Sequence, residues 1–119
     1  MVEDAARAGC ECVKFQCHVV DDELIPAAGE VVPGNATESI PTITQRCAAD
    51  RRSDRALKAH APNSLGMIYL STPFSRAAAD RLQRMGVIAH KIGSGECNNY
   101  PLGTPYRRLR PTGGAGAPA

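Results

Sequence analysis

Between Met67 and Ile92 the chain alternates strand, helix and strand with almost no room between them. Met67–Ser71, MIYLS, is a continuous apolar run of strand length, and Thr72-Pro73 ends it. Ser75–Met85 follows with Ala78, Leu82 and Met85 at i, i+4 and i+7, one stripe of an amphipathic helix. Gly86 closes that helix, and Val87–Ile92, VIAHKI, is the next strand. A βαβ unit this tight forces parallel pairing through a right-handed crossover. The constraint is therefore an α/β fold, in which ligand groups gather beyond the carboxyl ends of the strands.

Composition narrows the choice further. At 119 residues the chain is one domain at most, and a complete (β/α)8 barrel takes about 250 residues, so only part of one would fit. Hydrophobic residues make up 43%, which suits a packed core, but Trp is absent and small aliphatics must do the packing. A net charge of +2 gives no basis for nucleic-acid binding. No apolar run approaches the ~18 residues of a membrane span. MVEDAARAGCEC lacks the basic start and apolar core of a signal peptide, so a cytoplasmic location is expected. The odd set Cys10, Cys12, Cys17, Cys47 and Cys97 then reads as reduced thiols.

The chain before Met67 is less regular. Val2–Ala8 looks like the end of a helix, with Gly9 as its C′ residue, and something N-terminal to it is expected. Glu11–Gln16 is a short strand candidate. Alternation puts Lys14 and Gln16 on one face and Val13 and Phe15 on the other. Lys14 and Gln16 then either line an inner face with polar partners or mark an exposed edge strand. Cys17–Asp50 reads as a long irregular connection holding Pro26, Pro33 and Pro41, an acidic patch at Asp21-Asp22-Glu23, and a turn at Pro33-Gly34-Asn35. Asp50–Ala61 reads as a helix with Ala56, Leu57 and Ala61 facing inward. Ser53 is its candidate cap, and Pro62-Asn63-Ser64 ends it.

Three strand ends carry polar groups of one kind. The first offers Lys14 and Gln16, the second Thr72, and the third Lys91 with Ser94 and Glu96 around the Gly93-Ser94-Gly95 turn. In a parallel sheet these ends lie along one edge. Two lysines, two hydroxyls and a glycine-rich turn suit a phosphate or a phosphate-plus-carboxylate ligand; the alternative is a merely polar sheet edge. Cys10-x-Cys12 and Cys17-His18 match no common zinc spacing. His18, His60 and His90 have no Asp or Glu in ligand register, and no Ser–His–Asp or Cys–His nucleophile system can be assembled.

Four separated motifs add a resemblance. VKFQ at Val13–Gln16, PGNA at Pro33–Ala36, LSTPFS at Leu70–Ser75 and HKIGSGECNNYPL at His90–Leu102 resemble the sialic acid synthase family, in particular bacterial N-acetylneuraminate and legionaminate synthases. The likeness runs in register from about Val2 to Leu102. It implies a partial (β/α)8 TIM barrel of about three βα units, strands 2–4 of the barrel, over residues 1–102. The family condenses phosphoenolpyruvate with an N-acylated mannosamine-type sugar and releases phosphate. By resemblance, Lys14, Thr72, Lys91 and Ser94 bind phosphoenolpyruvate. Gln16 and Asn35 touch the sugar, and Glu96 is the catalytic carboxylate. The family also uses a divalent metal, Mn2+ or Mg2+, to polarise the sugar aldehyde.

Departures from the family pattern set further expectations. The family's first strand with its sugar-binding Glu, its two metal-holding histidines, and the C-terminal antifreeze-like domain of its dimeric members have no counterpart here. No residue of this chain is assigned to the metal. Residues 103–119, GTPYRRLRPTGGAGAPA, read as a disordered Gly/Ala/Pro/Arg tail unlike the family, as a shift of reading frame near Leu102 would produce. Arg107, Arg108 and Arg110 are expected to be solvated rather than bound to nucleic acid. The expectation is a synthase fragment with phosphoenolpyruvate and an amino sugar as partners, no membrane or nucleic acid, and little or no turnover alone. The alternative is a non-catalytic partner that completes a barrel with another chain.

Overall fold

The computed structural model describes residues 1–102. In chain order these form α1 (Val2–Arg7), β1 (Cys12–Cys17), α2 (Val20–Glu23), a 3₁₀ turn at Pro26–Glu30, α3 (Ile40–Cys47), α4 (Arg51–Leu65), β2 (Ile68–Pro73), α5 (Arg76–Arg84) and a 3₁₀ turn at Ser94–Glu96. The fold is mixed α/β around a small sheet in which β1 and β2 pair in parallel, Cys12 opposite Ile68 through Cys17 opposite Pro73. The strand expected at Val87–Ile92 is reduced to one parallel bridge, Ser71 with His90, and one adjoining bond from Lys91 N–H to Ser71 O (3.1 Å). The parallel crossover over α5 is thus present, but its third member pairs at a single point. The tail 103–119 and its arginines lie outside the described residues.

Local chemistry explains each boundary. α1 has Glu3 and Asp4 in its first turn and Arg7 in its last, charges that complement the helix dipole. The cap of α4 lies three residues before the expected one: Asp50, not Ser53, is the N-cap, and its Oδ1 accepts from Ser53 N–H (2.6 Å). Hydrogen bonds from the backbone at Ser53 hold the Asp50 carboxyl below its ordinary pKa. α4 also runs through Pro62 to Leu65 rather than stopping at it. The stop comes from Gly66, at φ +64°, whose N–H bonds Pro62 O (3.1 Å) while Met67 N–H reaches Ala61 O (3.0 Å). Pro62 costs one helical bond but leaves the C-terminal glycine motif intact. Ser75 caps α5, its Oγ accepting from Ala78 N–H (3.2 Å).

The segment between β1 and α4 is more ordered than its prolines imply. It contains α2, a 3₁₀ turn and the eight-residue α3. Pro41 sits in the first turn of α3 behind the N-cap Ser39, where a missing N–H costs nothing. The Pro33-Gly34-Asn35 turn is present, closed by Ala36 N–H to Pro33 O (2.9 Å).

The core lies between one face of the sheet and helices α1, α4 and α5. Val2, Cys17, Ala61, Met67, Tyr69, Ala78, Leu82 and Val87 are buried there, with Val13, Phe15, Leu57, Leu65 and Met85 packed against them. Phe15 and Tyr69, diagonal neighbours across the strands, stack at 5.4 Å. Ala56, expected to face inward, is exposed. The inward stripe of α4 is Asp54, Leu57, Ala61 and Leu65, so a carboxylate occupies a core position. It is answered there by Arg81, whose Nη1 lies 3.4 Å from Asp54 Oδ2 and 3.4 Å from Ala49 O, and by the Cys17 thiol at 3.8 Å. The opposite sheet face, carrying Lys14, Gln16, Leu70 and Thr72, is the open one.

Candidate functional site

Register decides what meets at the strand ends. Paired residues in a parallel ladder project to the same side. Gln16 therefore stands beside Thr72, and Lys14 one pleat back beside Leu70. Lys91 follows the bridge residue His90 and is tied to β2 by its own N–H. Gln16, Thr72 and Lys91 thus adjoin across three successive segments, and β1 lies about 10 Å from the Lys91 segment, two strand spacings. Lys14, Gln16 and Lys91 are exposed, as a site open to a soluble anion requires.

Thr72 differs from these three exposed residues. It is 1% exposed, and its Oγ1 is buried without a hydrogen-bond partner among the described residues. A buried hydroxyl left unanswered is costly, and a ligand oxygen would answer it. His90, beside Lys91, is held below its ordinary pKa by burial, so the ring is neutral at pH 7 and the charge on this segment comes from Lys91.

The Gly93-Ser94-Gly95 turn is a short 3₁₀ turn rather than an open loop: Glu96 N–H donates to Gly93 O (3.0 Å). Ser94 is exposed and Glu96 half-buried. Asn99 fixes Glu96, donating from Nδ2 to its Oε2 at 2.6 Å. Asn99 Oδ1 accepts in turn from Leu102 N–H (3.1 Å), at the start of a helical turn. Asn99 therefore positions Glu96, a contact that its place in a polar run concealed. Asn35 is apart from this group, exposed in the Pro33–Ala36 turn.

Two histidines also depart from expectation. His18 Nδ1 lies 2.9 and 3.0 Å from the two carboxylate oxygens of Glu23, and His60 Nε2 lies 2.8 Å from Glu3 Oε1. Glu3 reaches His60 from 57 residues away as α1 packs on α4, which sequence spacing could not reveal, whereas Glu23 meets His18 locally, five residues on. Among the described residues, no three His, Cys, Asp or Glu side chains gather as a metal site would require. The five cysteines are free, and burial pushes the Cys17 thiol up to about 11. No described helix is long and apolar enough to cross a membrane.

Comparison with known proteins follows the same residues. The model of the NeuB family matches residues 1–108. An N,N'-diacetyllegionaminic acid synthase of Campylobacter jejuni is 30% identical over 105 residues, covering 85% of this chain and 31% of the relative. A protein of the same name from Legionella pneumophila is 33% identical over 105 residues, 85% of this chain and 29% of the relative. An uncharacterized protein of Methanocaldococcus jannaschii is 26% identical over 102 residues. The chain spans just under a third of the length of the two synthases.

Proposed function

Because the chain belongs to the NeuB family, we propose that its strand ends form the phosphoenolpyruvate-binding part of a nonulosonate synthase site. Such a site joins phosphoenolpyruvate to an N-acylated mannosamine-type sugar. The observation that carries the reading is the buried, unanswered Thr72 hydroxyl flanked by Gln16 and Lys91. Lys14 and Lys91 hold the phosphate and carboxylate by charge-assisted hydrogen bonds, and Thr72 and Ser94 complete the oxygen contacts. Gln16 and Asn35 serve the sugar.

In this reaction carbon 3 of the enol attacks the sugar aldehyde and forms the new carbon–carbon bond. Positive character develops at carbon 2. Water adds there, and breakage of the bond from carbon 2 to the phosphate oxygen releases phosphate and leaves the keto acid. Glu96, held by Asn99, is the group that steadies the developing charge or takes a proton from the incoming water. The described residues supply no metal-ligand set, so no step is assigned to a cation here. With an anion-binding part and no metal-ligand set among the described residues, the chain is expected to bind phosphoenolpyruvate without turning it over.

A second element of this reading concerns assembly. Ile68 and Ile88 are 46% and 68% exposed, and they border a cleft of about 440 Å³ with Met67, Val87 and Pro62. The outer edge of β1 has no strand beside it among the described residues. Open edges and apolar rims of this kind favour completion of the sheet by further strands. Co-purification with a chain that supplies them would support this element.

Calorimetric titration with phosphoenolpyruvate tests the proposal. Lys91→Ala removes one charge-assisted contact of about 1.5–3 kcal/mol and should weaken binding roughly 10- to 150-fold. Equal affinity of the variant, or no binding by the parent chain at millimolar ligand, contradicts it.

A further inference from the structure

We propose that His18 is a positioning residue for the anion site, acting through Phe74 on the Gly93–Gly95 turn; the inference rests on the strand-end site described above. The His18 ring lies flat on the Phe74 ring, with centroids 4.8 Å apart and planes within 3°. Phe74 directly follows β2, two residues beyond Thr72. Phe74 also bears on Gly93: a Cβ there would stand 3.2 Å from Phe74 Cε1. Gly93 is buried and opens the turn that carries Ser94 and Glu96. Phe74, touching both His18 and Gly93, therefore links the ends of β1, of β2 and of the Lys91 segment.

The stack is anchored at its far end. Glu23 grips His18 Nδ1 with both oxygens, and the two side chains are only 12% and 11% exposed. α2, which carries Glu23, is itself held: Asp22 Oδ2 accepts from Ala77 N–H of α5 (2.9 Å). Among the described residues the ladder of the Lys91 segment with β2 is a single bridge. Ring packing takes over the task that a full third strand would perform. His18 touches no proposed ligand group, so its effect must pass through Phe74.

The test compares two double variants of the 119-residue chain that both remove the His18–Glu23 hydrogen bond. H18A/E23M deletes the ring, whereas H18F/E23M keeps an aromatic ring on Phe74; Glu23→Met in both avoids stranding a largely buried carboxylate. Amide hydrogen exchange at Ser94, Gly95 and Glu96 reads the turn without any ligand. Loss of a ring stack should speed exchange there roughly 2- to 10-fold in H18A/E23M, with H18F/E23M restored to within about 2-fold of the parent. Equal exchange in the two variants overturns the proposal. A third measurement covers the case where H18A/E23M does not fold. Gly93→Ala pushes on the Phe74 ring and should shift the ring-proton resonances of His18; unmoved resonances overturn the proposal. Phosphoenolpyruvate is then titrated separately. If the parent chain fails to bind it while the exchange pattern follows the ring, the ligand reading fails and the positioning role stands.

Discussion

Arg81→Met should unfold much of this protein, and the reason lies in one carboxylate. Asp54 is 2% exposed in the core, and Arg81 is the sole cation within ion-pair distance of it among the described residues. Burial raises the Asp54 pKa and Arg81 lowers it, with burial the larger effect, so the group sits above its ordinary value. Removing the guanidinium leaves a buried charge beside only a weakly polar thiol. Breaking such a pair costs about 3–5 kcal/mol, a large share of the roughly 5–15 kcal/mol that holds a small domain together. With a urea slope near 1–2 kcal/mol/M for a chain this size, the midpoint should fall by roughly 1.5–5 M. The loss should shrink as pH falls through the raised Asp54 pKa, because the folded variant then takes up the proton that neutralises the group. D54L/R81M, which replaces the pair by apolar side chains, should recover most of the loss. Urea unfolding followed by circular dichroism at pH 7 and pH 5 decides the matter. A cost below about 1 kcal/mol for Arg81→Met, or a double variant no better than the single, refutes the reasoning.

Other outcomes follow from the same structure. The buried Cys17 thiol has its pKa pushed up from 9.0 to about 11, by burial first and the Asp54 charge second. The thiol is neutral in the folded state while the unfolded chain ionises, so stability is full below pH 9 and should fall by roughly 2–3 kcal/mol towards pH 11. Cys17→Ala should flatten that decline in a urea series from pH 8 to 11. Pro62→Ala restores a helical N–H at an exposed position of α4 and should stabilise by about 1–3 kcal/mol; a lowered thermal midpoint would contradict it.

Much of the architecture was legible in residue patterns. Periodicity and glycine stops place α5 between two parallel segments because they report local backbone chemistry, and the Lys14/Gln16 face follows from simple alternation. The third strand failed for a tertiary reason: VIAHKI has strand composition, yet among the described residues it pairs at one point only, and Ile88 and Ile92 stay exposed. α3 was hidden by reading Pro41 as punctuation when it is a first-turn residue. Asp54 was invisible because a carboxylate at a core position makes sense only once Arg81 is brought to it from 27 residues away. The strand-end lysines could be listed from motifs, but the Glu23–His18–Phe74–Gly93 contact and the Asn99 clamp on Glu96 needed coordinates.

The central claim is that these strand ends bind phosphoenolpyruvate, and amide chemical-shift mapping tests it most directly. Titrating the labelled chain should move the resonances of Gln16, Thr72, Lys91, Ser94 and Glu96 together along one saturating curve. A second basic place offers the contrast, a narrow cleft lined by Arg51, Arg55, Arg81 and Arg84 on the helical side. Shifts confined to that cleft, with the strand-end residues unmoved, would contradict the account.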